Sequence, residues 1–411
     1  MIYKYAHPEF FSDWEKPDLE SLNGEIILYG AGRRGSVAAH CLKNRRIDFI
    51  CFCDSDEKKQ GIPFCGHDVI SPEELKRRYK DITILITTNH YYYIEQQLKK
   101  DGFTRVFSCV SLFLEIDFIG YDLYSPEYMS RNIDQYYYTL ISSNKNISYL
   151  TQIQIPVTMR CTLRCRECNS YIPYIKKGED FDAEQIIQAV NKLLTAYKAI
   201  GNILLYGGEP LLYGDLHKLV SVFSSDEHIE QVSVVSNGTL LPDEQLLKTM
   251  MDPKVVVRIS DYGSLSRKKA ELLELLGKNN IRTELTDFKF WNRQPTVEIL
   301  NETEEQLRKK VFNCCTIADS NTLINGKLFF CSYSAYHHYL RAVPDFGDNY
   351  VDLFATQEEG AQLREKIEKI RQMGKDGLPK QACRFCNFNN FADNLPVAEQ
   401  TTELMHFQKV Y

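Results

Sequence analysis

Arg160-Cys-Thr-Leu-Arg-Cys-Arg-Glu-Cys-Asn169 sets Cys161, Cys165 and Cys168 in the spacing C-x3-C-x2-C. Three thiolates this close can hold three irons of a 4Fe–4S cube and leave the fourth iron open. Soft thiolate ligands select iron–sulfur or zinc over hard cations. A closed structural zinc site wants four protein ligands. No fourth Cys or His follows within this loop, and His337 and His338 are far off in sequence. Just upstream, Ile153-Gln-Ile-Pro-Val157 is an apolar run of strand character. A ligand loop at the C-terminal end of the first strand is where α/β barrels keep their active sites.

Downstream, Leu205-Tyr-Gly-Gly-Glu-Pro210 reads as a strand ending in Gly207-Gly208-Glu209. Val234-Val-Ser-Asn-Gly-Thr239 and Val255-Val-Val-Arg-Ile-Ser-Asp261 are two more strands with polar tips. Helical patterns at 183–199, 243–251 and 267–278 alternate with them, and such alternation builds a parallel sheet. Taken together, the cysteine loop and these strand tips resemble the radical SAM (radical S-adenosylmethionine) superfamily. The resemblance implies an α/β fold with a partial (β/α)6 barrel over residues 150–300. It implies a 4Fe–4S cluster on Cys161, Cys165 and Cys168, whose unique iron chelates the amino and carboxylate groups of S-adenosyl-L-methionine. Gly207, Gly208 and Glu209 would contact the methionine amino group. Glycines let backbone carbonyls come close to a ligand, and a carboxylate complements an ammonium. Ser236, Asn237, Ser260 and Asp261, at the tips of the later strands, would meet the ribose and carboxylate. One position departs from the family: Glu167 stands where an aromatic usually precedes the third cysteine, so no aromatic contact to the adenine is expected there.

A second cysteine group lies in the C-terminal part: Cys314, Cys315, Cys331, Cys383 and Cys386. Gly326-Lys-Leu-Phe-Phe-Cys331 reads as a hairpin tip with its returning strand, and Cys383-Arg-Phe-Cys386 is C-x2-C. The set resembles the short "twitch" form of the SPASM extension, here over 301–411, which binds one auxiliary 4Fe–4S cluster. Its ligands would be Cys315, preferred over Cys314, with Cys331, Cys383 and Cys386. The same four thiols also satisfy a structural zinc site, and that alternative stays open. Cys41, Cys51, Cys53, Cys65 and Cys109 read as small buried hydrophobes.

The N-terminal part reads as a small Rossmann-like domain over residues 1–115. Strand Glu25–Tyr29 leads into Gly30-Ala-Gly-Arg-Arg-Gly35 and a helix. A second strand, Ile47–Cys53, ends at Asp54, and further strands lie at 82–88 and 105–109. Gly30, Gly32 and Gly35 supply a tight turn and close packing, the helix start can face a phosphate, and Asp54 stands where an acid can bond a ribose hydroxyl. The unit resembles small Rossmann-like domains at the start of sugar-modifying acyltransferases and other polysaccharide-pathway proteins. A nucleotide or nucleotide-sugar ligand is expected, the alternative being a sheet retained only as scaffold. Residues 116–149, rich in tyrosine, are expected to form a helical connector.

The chain has 411 residues, a net charge of −6 and 44% hydrophobic content. That is the composition of a globular protein of two or three domains. No apolar run approaches the roughly 20 residues of a membrane helix, and no signal-peptide core opens the sequence. With no basic stripe, a nucleic-acid partner is not expected. The thirteen cysteines, eight of them in the two groups, fit metal ligation in a reducing cytoplasm better than a disulfide framework. The resemblance therefore implies a radical oxidoreductase, served by a flavodoxin- or ferredoxin-type reductant, that takes hydrogen from a C–H bond. A carbohydrate or nucleotide-linked substrate is expected, by oxidation or epimerisation. Maturation of a ribosomally made peptide is the alternative, and a non-catalytic iron–sulfur protein is the rival of a different class.

Overall fold

The computed structural model describes residues 1–411 apart from 23, 144–146, 308–314, 316–319, 376–378, 389–393 and 408–411, so Cys314 lies outside the described residues. The chain divides into two compact units, 1–147 and 148–411.

In the first unit, β2 (Ile26–Tyr29), β3 (Cys51–Cys53), β4 (Val69–Ile70), β5 (Thr83–Ile86) and β6 (Val106–Ser108) form a parallel sheet in the order β4–β3–β2–β5–β6. β2, β3 and β5 are buried throughout. Continuous apolar strands of this kind belong to sheets covered on both faces. The glycine turn after β2 opens α1 (Arg33–Asn44). Gly30 has φ +117°, and a Cβ there would lie 2.5 Å from Thr87 Oγ1; one on Gly35 would lie 2.1 Å from the Gly30 carbonyl oxygen. Both positions therefore require glycine for helix–strand packing, whereas Gly32 faces open space.

The tyrosine-rich stretch expected as a connector is built into this first unit. Its helix, α5 (Pro126–Ser143), buries Tyr136 and Tyr137 completely. Tyr136 Oη donates to the Ile86 carbonyl at 2.9 Å and accepts from the Cys109 N–H at 3.1 Å, and Tyr137 Oη donates to the Val110 carbonyl at 3.1 Å. Tyr5 stacks on Tyr137 at 3.8 Å. A tyrosine that fills a hole while its hydroxyl completes backbone pairing is core.

The second unit is one eight-stranded sheet in the order β14–β13–β12–β11–β9–β15–β16–β17. Its strands are β9 (Ile153–Thr158), β11 (Ile203–Gly207), β12 (Val232–Ser236), β13 (Val255–Asp261), β14 (Arg282–Asp287), β15 (Thr322–Ile324), β16 (Lys327–Phe329) and β17 (Tyr350–Asp352). Helices α6 (Ala183–Ala196), α7 (Leu216–Ser225), α8 (Glu244–Met250) and α9 (Lys269–Lys278) alternate with the parallel strands. Asp182 and Asp243 cap α6 and α8, each accepting a backbone N–H at 2.8 Å. Six strands run parallel as expected, but the sixth, β15, joins at β9 through Thr322 and Gln154 rather than beside β14. The returning hairpin forms as read: Asn325 and Gly326, at φ 49° and 72°, make the two-residue turn from β15 to β16. The segment after residue 301 thus continues the same sheet. Among the described residues no helix is long and apolar enough to cross a membrane.

Candidate active site at the cysteine loop

The cysteine loop leaves the C-terminal end of β9, and the tip of β11 lies directly on it. Gly208 N–H donates to the Thr158 carbonyl and Glu209 N–H to the Arg160 carbonyl, both at 2.8 Å. A Cβ on Gly207 would sit 2.3 Å from the Thr158 oxygen, and one on Gly208 2.0 Å from the Arg160 oxygen. The two glycines are therefore needed first for the approach of one strand tip to the other. Glu209 is fully buried. Its two oxygens accept the N–H of Leu211 at 3.1 Å and of Asn237 at 2.8 Å. The carboxylate thus ties the tips of β11 and β12 together.

Asn237 carries the connection on to the cysteines. Its Nδ2 lies 3.6 Å from Cys161 Sγ and 3.2 Å from Thr162 Oγ1, and its Oδ1 accepts the Thr239 N–H at 3.0 Å. Ser236 is buried and accepts the Gly238 N–H at 3.1 Å. At the tip of β13, Ser266 Oγ bonds the carbonyls of both Asn237 and Ser260. Asp261 is ion-paired with Lys269 and accepts the Gly263 N–H at 2.9 Å; the Lys269 bond holds its carboxyl below the usual range. The strand tips named from the sequence therefore form one connected rim.

The thiols of this loop fit a cluster. Burial pushes Cys161 and Cys165 up to about 12 and raises Cys168, and Cys161 also feels the charge of the other two. Thiolates there need a positive partner, and iron is one. N–H groups already point at sulfur: Leu163 at Cys161, Gln400 at Cys165, and Ser170, Tyr171 and Ile172 at Cys168. Such hydrogen bonds stabilise cluster-bound thiolate. No three His, Cys, Asp or Glu side chains among the described residues are gathered tightly enough for a single ion. A cube holds its thiolates farther apart than one ion does.

The second thiol group also comes together. Cys331, Cys383 and Cys386 each feel the charge of Cys315, and burial pushes Cys331 up to about 12 and Cys383 to about 11. Lys380 counters part of this at Cys331 and Cys383. Between the two groups lies Tyr171, three residues beyond Cys168, buried and at φ 54°. Its hydroxyl donates to the Pro295 carbonyl at 2.7 Å and lies 3.1 Å from His337 Nε2, and its ionisation is opposed first by burial and then by the charges of Cys386 and Cys331.

Residues 155–260 match the sequence profile of the radical SAM superfamily. The chain carries a radical SAM domain. Members of that superfamily use a 4Fe–4S cluster and S-adenosyl-L-methionine. Residues 22–105 match a second family, C2185-like, N-terminal. Over 101 residues the chain is 37% identical to GTP 3',8-cyclase of Clostridium acetobutylicum, covering 24% of this chain and 30% of that enzyme. The chain thus spans under a third of the length of this curated relative. Among solved structures it is similar to BtrN in complex with AdoMet and 2-DOIA, with TM-score 0.40, 16% identity, and coverage of 62% of this chain and 98% of that one. It is also similar to anSMEcpe with bound AdoMet and Kp18Cys peptide, with TM-score 0.38, 15% identity, and coverage of 62% and 93%.

Two residues of the radical SAM domain's surroundings escaped the sequence reading. Tyr262, next after Asp261, is raised by burial and by the charges of Cys168, Cys165 and Cys161, so it stands beside the cluster loop. It packs edge-on against Trp291 at 5.4 Å. Glu167, in the departing position, instead accepts the Gln294 N–H at 2.9 Å. Gln400, 235 residues from Cys165, has no sequence signal at all.

In the first unit, Asp54 is placed otherwise than a free ribose ligand. Its Oδ2 accepts the Ala31 N–H at 2.8 Å and pairs with Lys59 at 2.9 Å, and its Oδ1 accepts the Asp56 N–H at 2.9 Å. The acid closes the glycine turn.

Glu209 gives a pH test. Burial pushes its carboxyl from 4.5 up to about 7. A raised carboxyl stabilises the fold fully below pH 4.5, and that contribution is lost as pH rises towards 7. The shift corresponds to about 3 kcal/mol. Urea unfolding of the iron-free protein should therefore show wild type losing stability between pH 4.5 and 7 relative to Glu209→Gln. Parallel curves for the two proteins would rule this out.

Proposed function

We propose that the chain is a radical S-adenosylmethionine oxidoreductase acting on a C–H bond of a carbohydrate or nucleotide-linked metabolite, by oxidation or epimerisation. The observation that carries it is the single rim joining Cys161, Glu209, Asn237 and Ser260 at the strand ends. When bound, the cluster and S-adenosyl-L-methionine supply, on one-electron reduction, a 5′-deoxyadenosyl radical. The chain's residues do the rest. Cys161, Cys165 and Cys168 hold the iron. Gly207, Gly208 and Glu209 would meet the methionine ammonium, with the Glu209 carboxylate anchored by the N–H groups of Leu211 and Asn237. Ser236, Asn237, Ser260 and Asp261 orient the ribose and carboxylate. Tyr262 offers the aromatic face that Glu167 does not, since rings stack on bases.

Cys315, Cys331, Cys383 and Cys386 would hold an auxiliary cluster, with zinc as the competing occupant. A flavodoxin- or ferredoxin-type protein in the cytoplasm would deliver the electron. The parallel sheet of the first unit supports a nucleotide-linked substrate over a peptide, since it is no winged helix. The test is anaerobic reconstitution with reductant, S-adenosyl-L-methionine and cytosolic small molecules, followed by mass spectrometry. Formation of 5′-deoxyadenosine with conversion of a sugar or nucleotide supports the reading. Conversion of peptides alone would favour a maturase, and no 5′-deoxyadenosine would favour a non-catalytic iron–sulfur protein.

A nucleotide phosphate would sit at Gly30–Gly35. α1 has no acidic residue in its first turn, and Gly32 opens onto free space. A panel of nucleotides and nucleotide-sugars is expected to raise the melting temperature. Gly32→Val should remove that rise, because its extended backbone accepts valine while the side chain fills the space. No shift with any member at millimolar concentration would leave the sheet as scaffold.

A further inference from the structure

The C-terminal segment is paired onto the cysteine loop as a short antiparallel bridge between Cys165 and Gln400. Arg166 N–H donates to the Glu399 carbonyl at 2.7 Å, and Thr401 N–H to the Arg164 carbonyl at 2.9 Å. Arg166 and Glu399 also pair through their side chains at 3.3 Å. Farther along, Met405 N–H donates to the Pro173 carbonyl at 2.9 Å, and Phe407 stacks on Tyr174 at 4.2 Å. Ala398, fully buried, is held at φ 51°. A non-glycine residue persists there only when its surroundings over-determine it.

This pairing fixes the Gln400 amide against a ligand sulfur. Gln400 Oε1 accepts the Arg164 N–H at 2.8 Å. Its Nε2 donates to the Ala398 carbonyl at 2.6 Å and to Cys165 Sγ at 3.2 Å. The amide cannot be turned over, because Arg164 offers a donor and Ala398 an acceptor. One N–H is therefore committed to the sulfur. Hydrogen bonds to cluster sulfur stabilise the more negative, reduced state and raise the reduction potential.

We propose that Gln400 is a positioning residue that donates an N–H···S hydrogen bond to the Cys165 thiolate and raises the potential of the cluster held by Cys161, Cys165 and Cys168. This rests on the functional reading above, in which those three thiolates bind the cluster. The tail thereby couples its own docking to the ease of the first electron transfer.

The test uses the full-length, anaerobically reconstituted protein as wild type, Gln400→Glu and Gln400→Met. Glutamate keeps the acceptor for Arg164 but cannot donate to sulfur when ionised; methionine is neutral and donates nothing. The midpoint potential is read from the electron paramagnetic resonance signal that changes on adding S-adenosyl-L-methionine. Hydrogen exchange at Arg166 and Thr401 reports whether the tail stays docked. Both variants should shift the potential to more negative values, with the two amides still protected in Gln400→Glu. A wild-type potential in Gln400→Glu overturns the proposal. So does a shift in Gln400→Glu alone, which is the added charge, or a shift in Gln400→Met alone with protection lost, which is undocking. If wild-type protein forms no S-adenosyl-L-methionine-responsive cluster, it is the functional reading that fails.

Discussion

Replacing Cys161, Cys165 and Cys168 together by alanine is expected to drive 5′-deoxyadenosine formation below detection while the protein still folds. The thiols are the only soft ligands of that loop, and thiolate is what holds such a cube. Cys161 and Cys168 are partly buried against the core and Cys165 is buried, so the substitution trims three sulfur atoms without adding bulk, and unfolding should remain cooperative. The variant should retain about four irons, because Cys315, Cys331, Cys383 and Cys386 are a complete second set of thiolates. Iron analysis, circular dichroism and product chromatography check all three parts. Wild-type cleavage by the triple variant would sink the assignment, and zinc without iron in it would give the second group to a structural metal.

Gly208→Ala is the second large effect expected. Its Cβ would lie 2.0 Å from the Arg160 oxygen and 3.1 Å from Cys161 Cβ. Neither side can give way easily, since Gly208 holds a backbone hydrogen bond to the end of β9 and Glu209 one to the Arg160 carbonyl of the loop. Overpacking of this kind costs about 1–3 kcal/mol. Because the displaced atoms carry Cys161, S-adenosyl-L-methionine cleavage should fall by about 100-fold, the usual consequence of an ångström of misplacement. Gly214→Ala is the control: nothing lies within 4 Å of its Cβ, so its stability should stay within about 0.5 kcal/mol of wild type. Equal stability and equal turnover for both variants would show that the strand tip is free to move.

The sequence was most legible where chemistry and spacing coincide. C-x3-C-x2-C, Gly207-Gly208-Glu209 and the polar tips Asn237 and Ser260 are local signals, and the fold brings them together. The hairpin tip was legible at Gly326, since glycine readily takes the left-handed conformation that a tight turn needs and that it adopts here. The helix in the tyrosine-rich stretch was legible, but the partners of its tyrosines were not, because a buried tyrosine and a surface one look alike in sequence. Only the positions of Ile86 and Val110 decide that the hydroxyls of Tyr136 and Tyr137 have backbone partners in the core.

Residue types and spacing by themselves determined the α/β class, the three-thiolate loop and the second thiol group, because ligand identity and strand periodicity are written in short windows. The tertiary structure decided what those residues do to one another. It turned the Glu209 carboxylate inward, gave Asp54 to Ala31 and Lys59, set β15 beside β9, and laid Gln400 on Cys165. All but the Asp54–Lys59 pair join positions tens to hundreds of residues apart. Their pairing depends on packing and on which buried polar group still lacks a partner, and no local window of sequence carries that information.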